Sequence, residues 1–189
     1  MQRLGVYGGS FDPPHVAHVL AAAYALSVGG LDRVIVVPVY AHAFHKQLAP
    51  FEQRLRLCER AFADLARVEI SSIEARLPEP SRTLTTLEAL REERGPEVIF
   101  RLIVGADVLA DVSKWHAFDA VQRLAPLFVI GRTGYEAPEA PSCSLPEISS
   151  SEVRELIARG DADARRELQR WVPSEVLRYI DEHRLYAKP

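Results

Sequence analysis

Apolar positions along the chain alternate between short runs suited to buried strands and longer stretches with helical spacing. RLGVYG (3–8) reads as a strand, and VAHVLAAAYALSVG (16–29) as an apolar helix stopped by Gly29 and Gly30. RVIVVPV (33–39) has four consecutive apolar residues before Pro38, the pattern of a strand covered on both faces. PFEQRLRLCERAFADL (50–65) has apolar residues at 51, 55, 57, 58, 62 and 65, which predicts a helix, and ARVEISSIEA (66–75) alternates as a strand does. SRTLTTLEALREERG (81–95) predicts a helix ended by Gly95 and Pro96. VIFRLIVGAD (98–107) predicts a strand, FDAVQRLA (118–125) a helix and LFVIGR (127–132) a fifth strand. The three prolines of 134–147 mark a loop. Beyond it only helices are expected, in SSSEVRELIARG, DADARRELQRW and PSEVLRYIDEH.

Strand alternating with helix predicts an α/β fold, a Rossmann-like open parallel sheet of about five strands with helices on both faces and a C-terminal helical segment. At 189 residues this is expected to be one domain, with a core over 1–133 and a loop plus helical part over 134–189. A net charge of −3 leaves no excess of Lys and Arg for general nucleic-acid binding, so any anionic ligand must be held by a local cluster. Cys58 and Cys143 lie far apart and suggest neither a disulfide framework nor a CxxC site. The N-terminus lacks a signal-peptide core, and no run approaches the roughly 18 apolar residues of a membrane span. A soluble cytoplasmic protein is expected, and its oligomeric state, a homo-oligomer included, is left open.

The segment GVYGGSFDPPHVAH (5–18) carries the candidate chemistry. A strand entering a glycine-rich turn and then a helix suits phosphate, because glycines let the backbone approach and the helix start offers N–H groups. The segment is neither GxxxxGK[ST] nor GxGxxG; it instead has His15 and His18 at the helix start, on one face. Three readings stand for these histidines. They are structural; or they bind zinc with His42 and His45, although zinc usually recruits thiolate or carboxylate and neither cysteine is near. The third is hydrogen bonding to phosphate oxygens during transfer, which Gly8 and Gly9 immediately upstream favour.

GGSFDPPHVAH resembles the His-x-Gly-His signature of the nucleotidylyltransferase superfamily, with Ala17 in place of the glycine. ISSSEVR (148–154) resembles its second signature, Ile-Ser-Ser-Thr-x-x-Arg, with Ser151 in place of threonine. As residues, this is a helix start with Ser149, Ser150 and Ser151 as cap candidates and Arg154 one turn in, and its hydroxyls, N–H groups and guanidinium together suit anions. Further stretches resemble the nicotinate-nucleotide adenylyltransferase branch, and together the resemblance covers nearly the whole chain. SRTLTTLEAL matches its Ser-Tyr-Thr-x-Asp-Thr-Leu motif at Ser81, Thr83, Thr86 and Leu87, with Arg82 and Thr85 departing from it. VGADVLADVSKWHAFDAV is similar to its Gly-x-Asp segment followed by tryptophan, VIGRTGY to its Arg-Pro-Gly stretch, and VPSEVLRYIDEHRLY to its closing helix. Its Pro-Pro-His-Lys stands here as AHAFHK, which keeps His45 and Lys46.

The resemblance implies adenylyl transfer from ATP to nicotinate mononucleotide, giving the deamido dinucleotide precursor of NAD and pyrophosphate. It implies catalytic roles at the ATP phosphates for His15, His18, Lys46 and Arg154. ATP would also meet Gly8, Gly9, Ser10, Phe11, Gly105, Asp107, Ile148, Ser149 and Ser150, with Asp107 on a ribose hydroxyl or the adjacent helix. The acceptor would meet Thr83, Thr86, Arg82, Trp115 and Arg132, with Trp115 stacked on the pyridine ring. Mg²⁺ is expected to be held by phosphates and water, with no protein ligand. Two alternatives stand beside this reading: the same chemistry on nicotinamide mononucleotide, phosphopantetheine or FMN, and a nucleotide-binding paralogue with little turnover.

Overall fold

The computed structural model describes residues 1–41, 48–131 and 145–187, apart from the side chains of Asp111, Ser113 and Lys114. Five strands form one parallel sheet: β1 (Gln2–Gly9), β2 (Arg33–Pro38), β3 (Val68–Ile70), β4 (Val98–Gly105) and β5 (Leu127–Ile130). Their order is β3-β2-β1-β4-β5, so β1 is central and is hydrogen-bonded along both edges. The helices are α1 (Val16–Val28), α2 (Phe51–Ala61), α3 (Thr83–Arg94), α4 (Phe118–Leu124), α5 (Ser150–Arg159), α6 (Ala162–Trp171) and α7 (Ser174–Glu182). Two 3₁₀ segments, Ile73–Arg76 and Ala106–Lys114, lead out of β3 and β4.

The sheet separates two apolar layers, and strand alternation decides which residue enters which. Leu4, Val6, Ile35, Val37, Phe100, Leu102 and Val104 face Leu87 and Leu90 of α3 and Val121 of α4. Val34, Val36, Ile103, Phe128 and Ile130 face the other layer, where α1 supplies Ala21, Ala22, Ala25 and Leu26. Leu57 and Cys58 of α2 and Val153, Leu168, Val176 and Ile180 of α5–α7 join that second layer. The C-terminal helices therefore share a core with α1 and α2. Gly5 permits close packing there, since a Cβ would lie 2.7 Å from Leu31 Cδ1 and 2.8 Å from Ile103 Cδ1. Burial pushes the Cys58 thiol up, so it behaves as an apolar packing group rather than a nucleophile.

Several expected boundaries differ. The strand expected over 66–75 is only Val68–Ile70. The Ser71 N–H still donates to Val36 O at 2.9 Å, but the Ser71 hydroxyl then accepts the Ile73 N–H at 3.3 Å and the chain turns. The strand expected to reach 107 ends at Gly105 and passes into the 3₁₀ segment. Helix α2 likewise stops at Ala61 rather than 65, winding down through a turn at Phe62. Among the described residues no helix is long and apolar enough to cross a membrane.

Phe100 is fully buried in the layer beneath α3, with the Arg91 guanidinium over its ring at 5.1 Å. Phe100→Ala is expected to lower the unfolding free energy by about 3–5 kcal/mol in urea titration. A loss below about 1 kcal/mol would mean that this layer collapses around the gap and is not close-packed.

Candidate active site

In open parallel sheets ligands settle beyond the carboxyl ends of the strands, where strand order reverses. Here that point lies between β1 and β4, and a cleft of about 690 Å³ opens there. One border comes from the loop after β1 and the start of α5: Gly8, Gly9, Ser10, Phe11, His15, His18, Ile148, Ser149 and Ser150. Another comes from the start of α3 and the segment after β4: Arg82, Thr83, Thr86, Gly105, Asp107 and Trp115. All the described residues expected at the site thus line one cleft, with the single exception of Arg154. Lys46 and Arg132, like His42 and His45, lie outside the described residues.

The loop owes its shape to small and aromatic residues together. A Cβ on Gly8 would meet nothing within 4 Å, so its missing side chain leaves the cleft floor open. Gly9 lies under the buried Phe11 ring, where a Cβ would come within 3.1 Å of it. Phe11 in turn meets Tyr7 edge-on at 5.4 Å and His18 at 5.0 Å, which sets the plane of the His18 ring. The His15 and His18 rings lie 3.8 Å apart, tilted by 36°. The His15 backbone N–H donates to His18 Nδ1 at 3.2 Å. In the neutral ring that leaves the proton on Nε2, which makes it a hydrogen-bond donor.

The ISSSEVR segment is more engaged with the scaffold than its residue types suggest. Ser149 caps α5: its hydroxyl accepts the Glu152 N–H, and Glu152 Oε2 accepts the Ser149 N–H at 2.7 Å. The Ser150 hydroxyl donates to Pro13 O at 2.9 Å. Arg154, expected beside the triphosphate, sits behind the loop, donating through Nη1 to Asp12 O at 2.5 Å and through Nη2 to Ser151 Oγ at 3.2 Å. The physical reason is the buried Asp12 carboxylate, 3.7 Å from the same Nη1, which draws the guanidinium away from the cleft.

On the other border Thr86 is buried, and its hydroxyl lies 2.9 Å from Glu74 Oε1 and 3.1 Å from Arg82 O. The other oxygen of Glu74 accepts the Tyr40 N–H at 2.9 Å. Ser81 and Ala41 exchange two bonds, Ser81 N–H to Ala41 O and Ala41 N–H to Ser81 Oγ. These contacts pin the chain after β2 to the start of α3. The Asp107 carboxylate folds back over Gly105, where a Cβ would clash with it. Arg82 is exposed at the rim, and the half-buried Trp115 meets Phe118 edge-on at 6.1 Å. Among the described residues no cluster of three or more His, Cys, Asp or Glu is arranged to hold a metal ion.

Glu74, Ser81 and His116 also line the cleft and were not expected there. Glu74 gave no signal in a segment that reads as a strand. Arg54, buried beneath the loop, did: it falls on the apolar stripe of α2 at helical spacing from Cys58 and Ala61.

Residues 6–156 match the cytidylyltransferase-like family model. The chain is 44% identical to the probable nicotinate-nucleotide adenylyltransferase of Anaeromyxobacter dehalogenans strain 2CP-1, over 98% of this chain and 97% of that protein. It is 38% identical to the protein of the same name from Thermus thermophilus, over 97% and 99% of the two chains. Among solved structures it superposes on the nicotinic acid mononucleotide adenylyltransferase of Plasmodium falciparum complexed with NaAD, with a TM-score of 0.83 over 98% of both chains. At 19% identity that match is one of fold.

The His18 geometry has a direct spectroscopic consequence. Nitrogen-15 NMR of the free protein above the imidazole titration range is expected to show His18 as the Nε2–H tautomer. An Nδ1–H signature would break the bond from the His15 N–H and remove Nε2 as a donor.

Proposed function

The chain belongs to the nicotinate-nucleotide adenylyltransferase family, and on that premise we propose that it transfers AMP from ATP to nicotinate mononucleotide. The observation that carries the reading is a single cleft bordered by both the two-histidine loop and the Arg82–Thr83–Trp115 group. The first border suits a triphosphate, and the second suits a flat ring with an anionic substituent.

In the proposed reaction a phosphate oxygen of the acceptor attacks the α-phosphorus of ATP. A new phosphoanhydride bond forms, the α–β bridge breaks, and pyrophosphate leaves with the electron pair. The acceptor phosphate, with a second pKa near 6, is mostly dianionic at neutral pH, so no general base is required. Catalysis is then positioning and charge stabilisation. His18 Nε2–H and His15 donate to phosphate oxygens, while the backbone of Gly8–Phe11 approaches closely because its glycines carry no Cβ. Lys46 is assigned to charge neutralisation, Arg132 to the acceptor, and Arg154 to holding the Asp12 carbonyl of the loop. Trp115 and Thr83 are assigned to the acceptor. The triphosphate is expected to carry Mg²⁺ with mostly water ligands, which supplies further neutralisation. A cytoplasmic location accords with these substrates.

One observation favours a second reading. Glu74 is a buried carboxylate on the acceptor border, and a negative charge there suits the amide of nicotinamide mononucleotide better than a carboxylate.

Pyrophosphate release from Mg-ATP, with the two mononucleotides offered in parallel, separates these readings. A strong preference for nicotinate mononucleotide is the expected result. Preference for the amide selects the second reading, and release with neither acceptor sinks both. Replacement of the donor ring in His18→Ala is expected to lower kcat about a hundredfold or more, the scale of losing one transition-state donor. An unchanged kcat would remove His18 from the chemistry.

A further inference from the structure

Beneath the phosphate loop lies a polar cluster that takes no part in the reaction as written. Asp12 and Arg54 are exposed by only 2% and 1%. Arg54 donates through Nη1 to Ser10 O at 3.0 Å and through Nε to Ala49 O at 2.9 Å. Arg154 takes Asp12 O, and the Ser150 hydroxyl takes Pro13 O. Three loop carbonyls are therefore each held by a side chain, and neither guanidinium lines the cleft. This orientation matters for an anion site. A loop that offers N–H groups to phosphate must turn its carbonyl oxygens elsewhere, and each of those needs a donor.

The Asp12 carboxylate completes the cluster, and a residue from the end of the chain completes the carboxylate. Tyr186 Oη donates to Asp12 Oδ1 at 2.7 Å, and the Ala49 N–H reaches the same oxygen at 3.3 Å. Burial, and then the Asp12 bond, pushes the Tyr186 phenol above its ordinary value, so it remains a donor throughout the neutral range. Burial lowers the Arg54 pKa and the Asp12 charge opposes that shift.

The backbone around this hydrogen bond is strained at both ends. Phe11, beside Asp12, has φ 47°, while Arg184 and Tyr186 have φ 51° and 63°. None is glycine, and the left-handed region disfavours side-chain-bearing residues. Such conformations persist where the surrounding contacts over-determine them. Here the over-determining contacts are the Phe11 ring packing on one side and the Tyr186–Asp12 bond on the other.

We propose that Tyr186, acting through Asp12 with Arg54 and Arg154, is a positioning residue for the triphosphate, locking the loop with its carbonyls turned from the cleft. The inference rests on the adenylyltransferase reading only in taking the loop as the triphosphate site. It predicts a selective effect, since among the described residues no hydrogen bond runs from the cluster to Arg82, Thr83 or Trp115, and Arg54 meets that border only through the charge of Glu74.

Calorimetric titration of Tyr186→Phe with Mg-ATP, inorganic tripolyphosphate and nicotinate mononucleotide, without turnover, tests it. Affinity for ATP and tripolyphosphate is expected to fall about tenfold, with affinity for the mononucleotide changed less than twofold. Unchanged triphosphate affinity overturns the proposal, and so does an equal loss for all three ligands, the mark of a merely structural role. Should Tyr186→Phe fail to fold by thermal melting, Asp12→Asn is titrated instead, with the same selective loss expected and the same two overturning results. Wild-type protein that binds neither ATP nor tripolyphosphate overturns the phosphate-loop reading and this proposal together. Wild-type protein that binds tripolyphosphate but transfers AMP to neither mononucleotide overturns the function alone; a selective loss in the variant then still supports the proposal.

Discussion

β1 is hydrogen-bonded along both edges, to β2 from Leu4 to Gly9 and to β4 from Gln2 to Val6, and the site depends on that central position. A strand held on both sides delivers the loop that follows it to a fixed point, here the place where strand order reverses. The same pairing brings the end of β4, with Gly105 and Asp107, to the opposite wall. The histidine loop and the segment that leads to Trp115 therefore belong to neighbouring strands, although about 90 residues separate them in the chain. Without the β1–β4 ladder the two borders would have no shared cleft.

Given that frame, much of the polar chemistry near the loop serves to hold it rather than to meet a ligand. Two guanidiniums and a serine hydroxyl take loop carbonyls, and a carboxylate with a phenol closes the set. A buried ionic group is costly unless its neighbours satisfy it, so such a cluster is stable only when complete. That requirement explains how a residue near the C-terminus comes to matter at the first loop. The helices α5–α7 pack through apolar residues on the face shared with α1 and α2, and that packing brings Arg154, and Tyr186 beyond α7, to Asp12.

The acceptor border balances opposite charges. Arg82 is exposed at the rim, whereas Glu74 is buried and engaged with the Tyr40 N–H and the Thr86 hydroxyl. A carboxylate already supplied with donors presents less negative charge to a ligand than a bare one. Thr86, grouped by sequence with the acceptor contacts, thus acts on that border through Glu74 and the Arg82 carbonyl.

By itself the sequence determined the layer architecture, because strands covered on both faces must be apolar throughout and helices must show a 3.6-residue stripe. Both are local patterns, and β1, β2, β4 and β5 follow them closely. The glycines and histidines of the first loop were legible for the same reason, since their spacing along one turn is itself the geometry. The short span of β3 was not, because a serine hydroxyl competes with the ladder only once Val36 is alongside. The Ser149–Glu152 cap is a local S-x-x-E pattern. Arg154 carried the right chemistry for an anion, yet only the tertiary structure decided that Asp12 engages it. Glu74, Arg54 and Tyr186 became visible the same way. Whether a polar side chain meets a ligand or a buried partner depends on distances between segments far apart in the chain, and only folding sets those distances.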